Sequence, residues 1–257
     1  MKISVCGKGG SGKSTIVALL ANEALKRGYK VLVVDSDESN SGLFRAFGFD
    51  QPPVPLMEMV GGKQGLKQKM SQPNIFRETN IQTAQIPGDY SLRKDGLQLV
   101  SIGKILQSME GCACPMGVLS REFLKKLDLA EDEIAIVDME AGVEHFGRGV
   151  ETSIDSVLIV VEPPLESVNV GQKIHELASG IGIQHVWAVL NKVPTAEIAE
   201  KLQGELKKRR LEVIGCIHFD SNVFAASMEG KIPADGTAVL EIEQVMNGIL
   251  PQVKPGR

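Results

Sequence analysis

Gly7-Lys8-Gly9-Gly10-Ser11-Gly12-Lys13-Ser14 is the stretch that decides the fold. It matches G-x-x-x-x-G-K-[ST]. A short β-rich run, Ile3 to Val5, precedes it. After it, Val17, Leu20, Ala21, Ala24 and Leu25 recur at helical spacing until Gly28 stops the helix. A strand, a glycine loop and a helix in that order are the setting in which this pattern cradles phosphate. Gly9, Gly10, Ser11 and Gly12 let backbone N–H groups turn inward around phosphate oxygens, and the helix N-terminus adds partial positive charge. Lys13 is placed to reach the β- and γ-phosphates and Ser14 to put its hydroxyl on Mg²⁺. Thr15 is in position to touch the α-phosphate.

Outward from the loop, short apolar runs alternate with longer helical stretches. Strands are predicted at Lys30–Val34, Leu97–Ile102, Glu133–Val137, Ser156–Val161, His185–Leu190 and Leu211–Ile217. Helices are predicted near Pro115–Leu127, Leu165–Ser179, Thr195–Arg210 and Ala238–Ile249. Such alternation predicts an α/β fold, a mostly parallel sheet with helices on both faces. Residues 50–95 break the rhythm. They hold Pro52, Pro53, Pro55, Pro73 and Pro87 and many Gln and Gly, and form an irregular insertion within one domain spanning 1–257.

Lys8 is a second lysine inside the loop, in K-G-G-x-G-K-[ST]. This resembles the deviant Walker A loop of the P-loop NTPase family that includes the MinD and ParA ATPases, the nitrogenase iron protein and the arsenite-pump ATPase. The resemblance implies ATP hydrolysis to ADP, with Lys8 reaching across a homodimer interface to the partner's nucleotide. A cation delivered in trans stabilises charge on the transferring phosphoryl group and ties catalysis to dimerisation.

Val34-Asp35-Ser36-Asp37 ends the second strand, where such sheets face the nucleotide. In the resemblance this is switch I. Asp37 is the candidate for orienting the attacking water, and Asp35 for supporting the Mg²⁺ shell. Asp138 ends an apolar strand, the arrangement that holds Mg²⁺, and Glu140-Ala141-Gly142 looks like switch II. His145 follows, and packing explains it best. Asn191 stands where the family places an Asn on adenine. His218, Phe219 and Asp220 resemble the family's adenine-side loop, which often has Pro where this chain has His218 or Phe219.

Cys112-Ala113-Cys114-Pro115 offers two thiols two residues apart. Thiolates favour Zn²⁺, Cu(I), Ni²⁺ or iron–sulfur clusters, and two of them leave a tetrahedron half filled. A homodimer with the pair near its two-fold axis supplies the other two. Cys6 and Cys216 fall in or beside core strands and act as packing.

The loop, the C-A-C-P pair and Asp138-Met139-Glu140-Ala141-Gly142 followed by Glu144-His145 together look like the CooC-type nickel-insertion accessory ATPases of carbon monoxide dehydrogenase maturation. That resemblance implies ATP-driven dimerisation, Ni²⁺ at Cys112 and Cys114 (Zn²⁺ being possible at the same site), and delivery to an apo-dehydrogenase client. Two alternatives stand beside it. One is an iron-protein-like electron donor or iron–sulfur carrier, though Met139 to Phe146 contains no Cys. The other is a MinD/ParA-like positioning ATPase, for which the chain end, with Pro251, Pro255 and Gly256, offers no amphipathic membrane helix.

Composition narrows the partners. The net charge of −4 and 4% aromatic content disfavour a nucleic-acid partner. No apolar run approaches the ~18–20 residues of a membrane span. Four cysteines are too few for a disulfide framework, and no secretory h-region is visible, so the expectation is a cytoplasmic protein.

Overall fold

Val31 and Val33 point to one side of the strand Lys30–Asp35 and Leu32 and Val34 to the other, yet all four are buried. A strand apolar on both faces needs cover on both. The computed structural model describes residues 1–38, 42–69, 75–76, 78–104, 114–147 and 149–250, and the cover is helical on each side.

β1 (Lys2–Gly7) feeds α1 (Lys13–Lys26), and β2 (Lys30–Asp35) follows. Three short helices come next: α2 (Leu43–Ala46), α3 (Leu56–Met59) and α4 (Gly62–Lys69). They lead to β3 (Ile81–Gln82) and the antiparallel pair β4 (Leu92–Lys94) and β5 (Leu97–Ser101). Then come α5 (Cys114–Lys126), β6 (Leu127–Asp128), β7 (Glu133–Asp138), α6 (Glu144–Gly147) and β8 (Ser156–Val161). The chain closes with α7 (Leu165–Gly180), β9 (His185–Val193), α8 (Ala196–Lys208), β10 (Glu212–His218), α9 (Ser221–Met228) and α10 (Thr237–Ile249).

Eight strands form one sheet in the order β10-β9-β8-β1-β7-β2-β5-β4, parallel except for β4. α1, α2 and α10 pack on one face through Ile16, Leu20, Phe44, Ile242 and Val245. α4, α5, α7 and α8 pack on the other through Leu66, Phe123, Ile174 and Leu206. This is the single-domain α/β architecture the alternation predicts. β1 lies between β7 and β8; the chain runs from β1 to β2 on one side of it and later crosses from β7 to β8 on the other. The crevice at the carboxyl ends of these strands is where open α/β sheets bind ligands. Register aligns the crevice: Val5 pairs with Asp138, and Asp138 with Asp35.

The structure adds detail to the sequence reading. β4 is a three-residue edge strand with exposed Arg93 and Lys94, which blunt the edge against further pairing. β3 and β6 form a separate two-stranded pair. β9 continues past Leu190, so Asn191 and Lys192 lie within the strand rather than after it, with Lys192 at a positive φ of 56°.

Candidate functional site

Glycine makes the loop possible. Gly12 caps α1 in the left-handed conformation, φ 94°, and a side chain there would run into Asn191 Nδ2. α1 has no side-chain N-cap and no acidic residue in its first turn. Its first N–H groups therefore have no intrahelical acceptor and present positive charge to the crevice. Three side chains hold the loop carbonyls. Lys13 Nζ donates to Lys8 O at 3.4 Å, Asn191 Nδ2 to Ser11 O at 2.8 Å, and Lys192 Nζ to Gly10 O. With carbonyls turned to these donors, the loop carries a cradle that suits an anion.

The carboxylates meet the loop from the strand ends. Asp138 is fully buried, and its Oδ2 accepts from Ser14 Oγ at 2.6 Å. Its Oδ1 has no hydrogen-bond partner among the described residues. Burial pushes this carboxyl up to about 7; the Ser14 hydrogen bond opposes the rise and repulsion from Asp35 adds to it. Asp35 is buried beside it and pushed up to about 6 by burial, with Lys104 pulling the other way. Lys104 Nζ lies 2.7 Å from Asp35 Oδ1 and also donates to Asp37 O. A hydroxyl next to a buried carboxylate with a vacant lone pair is a donor set that suits Mg²⁺, a hard cation that prefers oxygen.

Lys8 turns outward. Its Nζ lies 3.3 Å from Glu166 and 3.8 Å from Glu162, and Lys192 contacts the other Glu162 oxygen at 3.6 Å. Asp37 is buried just past β2.

Beyond Gly12 and Thr15 lies a cavity of about 240 Å³, walled by Asn191, Lys192, His218, Phe219, Val223 and Phe224. Phe219 and Phe224 are each 59% exposed, so an apolar ring faces open space here. Asp220 serves as the N-cap of α9, accepting from Asn222 N at 2.8 Å, and also accepts from Ala238 N at 3.2 Å. Burial pushes its carboxyl up, but these N–H bonds outweigh that and hold it low. Asp220 thus shapes the wall of the cavity.

The structure gathers Gly9, Gly10, Ser11, Gly12, Lys13, Ser14, Thr15, Asp35, Asp37, Asp138 and Asn191 around one crevice, with His218, Phe219 and Asp220 at its far end. Asn191 already holds the loop through its amide. Cys112 lies outside the described residues, and Cys114 is described only as the backbone start of α5. Among the described residues no group of three or more His, Cys, Asp or Glu is arranged to hold a metal ion. His145 is buried and its ring packs against Phe146, with centroids 4.7 Å apart. The residues the sequence reading missed are Lys104, Glu162, Lys192 and Glu241.

This geometry defines a nucleotide-binding α/β protein. Residues 3–234 match the CbiA family, described as the CobQ/CobB/MinD/ParA nucleotide binding domain, and the chain belongs to that family. An uncharacterized ATP-binding protein of Methanocaldococcus jannaschii is 45% identical over 198 residues, covering 75% of this chain and 79% of that one. The carbon monoxide dehydrogenase accessory protein CooC of Rhodospirillum rubrum is 31% identical over 235 residues, covering 90% and 88%. Among solved structures, the septum site-determining protein MinD of Pyrococcus horikoshii, complexed with Mg-ADP, superposes with a TM-score of 0.70 over 96% of this chain and 95% of that one, at 15% identity. That likeness establishes the fold. Among the described residues no helix is long and apolar enough to cross a membrane.

Proposed function

We propose that this chain is an ATP-hydrolysing accessory protein that dimerises with nucleotide, binds nickel at Cys112 and Cys114, and delivers it to a carbon monoxide dehydrogenase. The observation that carries this reading is the 31% identity to CooC across nine-tenths of the chain, in a sequence that also holds the paired cysteines.

The site supports the hydrolytic half. The loop and the start of α1 hold the phosphates, with Lys13 at the β- and γ-phosphates. Ser14 Oγ, Asp138 and Asp35 would hold Mg²⁺, which would offset phosphate charge. Asp37 orients water for in-line attack on the γ-phosphorus. The bond to the β–γ bridging oxygen breaks, and ADP and phosphate leave. Lys8 leaves Glu162 and Glu166 to reach the partner's nucleotide. Nickel is cargo: two cysteines from each protomer complete a four-thiolate site on the dimer axis.

Size-exclusion chromatography with metal analysis tests this, run anaerobically with and without ATP and Ni²⁺. The expected result is a dimer with about one nickel per two chains, lost in the Cys112→Ser, Cys114→Ser double variant. Undiminished nickel in the double variant overturns the cargo site. Dimerisation by ATP with no metal in either protein leaves a nucleotide switch and removes the nickel role.

A further inference from the structure

Glu241, on α10, grips His218 twice. Its Oε2 accepts from the His218 backbone N–H at 2.8 Å, and its Oε1 lies 2.5 Å from ring Nδ1. The carboxylate is mostly covered, at 16% exposure, while the imidazole stands 37% exposed on the cavity wall. The two bonds to Glu241 leave Nε2 uninvolved, and the imidazole's far side is open to the cavity.

We propose that the Glu241–His218 pair reads the 6-position of a purine and selects adenine over 6-oxopurines. This rests on the ATP-binding reading above. An ionised carboxylate only accepts, so Nδ1 at this distance carries the hydrogen. In the neutral ring Nε2 is then a bare acceptor. An acceptor on this wall pairs with the exocyclic amino group of adenine and repels the 6-oxygen of guanine or hypoxanthine. Phe219, Val223 and Phe224 present apolar faces that receive any purine ring equally. Discrimination therefore falls to a polar atom, where a mismatched partner leaves a desolvated group unpaired. The cavity opens at its other end onto Gly12 and Thr15, so a base here is continuous with phosphates in the loop. Glu241 is a positioning residue: it fixes the tautomer and does not touch the base.

Glu241→Gln is the informative variant. The glutamine oxygen keeps the bond to the His218 N–H, and its amide NH₂ then faces Nδ1. Nδ1 becomes the acceptor and Nε2 carries the hydrogen, which reverses the code. Dissociation constants are measured by calorimetry, with Mg²⁺, for ATP, inosine triphosphate and purine riboside triphosphate. The wild type should prefer ATP to both by about tenfold or more. In Glu241→Gln the ATP-to-inosine ratio should fall to about one or invert, by the same reasoning. His218→Ala should bind all three alike, and His218→Gln, which restores an acceptor, should recover part of the preference. The purine riboside comparison on the wild type needs no variant to fold. An unchanged ATP-to-inosine ratio in both Glu241→Gln and His218→Ala, with ATP still bound, overturns the inference alone. Failure of the wild type to bind any triphosphate overturns the ATP reading and this inference with it.

Discussion

Ser14 Oγ donates to Asp138 Oδ2 at 2.6 Å, joining the start of α1 to the end of β7 across 124 residues of sequence. The bond ties the phosphate loop to the most buried carboxylate in the crevice. Asp138→Asn keeps the shape and an acceptor for Ser14 but removes the charge. Mg²⁺-dependent ATP hydrolysis should fall by about 100-fold or more, because the cation loses its anionic support. Phosphate release assays with a Mg²⁺ titration check this. Near-normal turnover would remove Asp138 from the site.

The same residue sets a pH dependence. Burial holds its carboxyl at about 7 in the folded state, against 3.8 for an ordinary aspartate, so the folded state binds the proton more tightly. Stability from this group is complete below pH ~4 and is lost as pH rises through ~7. The nucleotide-free protein should therefore melt lower at pH 8 than at pH 5. Carboxylates held low, such as Glu205 at about 2, are already ionised across that window and do not offset the loss. Asp138→Asn should flatten the difference, and Mg²⁺ with ADP should restore the melting point at pH 8.

Lys104 is the counter-ion of buried Asp35, at 2.7 Å, with both side chains about one-tenth exposed. Lys104→Met leaves the carboxylate without its cation. The cost should be about 3 kcal/mol at pH 8. At pH 5 the loss should be smaller, since a protonated Asp35 has no need of the partner. Denaturant titrations at both pH values check this, and Lys104→Met with Asp35→Asn should recover much of the loss.

In the proposed chemistry Lys8 acts across the dimer interface. Lys8→Ala should keep ATP affinity within about threefold and lose hydrolysis by about 1,000-fold, the scale of a missing arginine finger. Mixing Lys8→Ala with Asp138→Asn gives heterodimers in which one site has an intact Asp138 and receives an intact lysine. The mixture should hydrolyse ATP when neither variant does alone. No recovery in a mixture shown to form heterodimers would place Lys8 in its own site.

Gly12→Ala puts a side chain at a positive φ and against Asn191 Nδ2. Left-handed backbone alone costs about 1–2 kcal/mol at a non-glycine residue. Displacing Asn191 also loosens its 2.8 Å bond to Ser11 O. Nucleotide affinity should drop at least about tenfold, read by calorimetry beside a thermal melt.

The loop, Asp35 and Asp138 were legible because each sits at the end of a recognisable run, where local pattern and position in the sheet coincide. Lys104, Glu162, Lys192 and Glu241 were not. Each is a single charged residue on a different element, and only tertiary packing brings them to the loop, Asp35 and His218. Position after β5 was the one available hint for Lys104, since every parallel strand ends at the same crevice. β4 was illegible for another reason: three residues with two charges show no period. Asn191 was expected at the base; its amide bond to Ser11 O follows from β9 running on past Leu190 to meet the loop, which no spacing rule encodes.

Asp35 and Asp138 are register partners on neighbouring parallel strands. Their separation is set by the ladder repeat, about 4.8 Å between strands, and not by a loop that could drift. The sheet works as a ruler that holds two like charges at fixed pitch. Mutual repulsion cannot be relieved by moving apart, so it has to be met by a proton, an amine or a metal ion. Changes in the surrounding loops can alter how fast that visitor arrives, but the demand for positive charge is written into the hydrogen-bonded backbone itself.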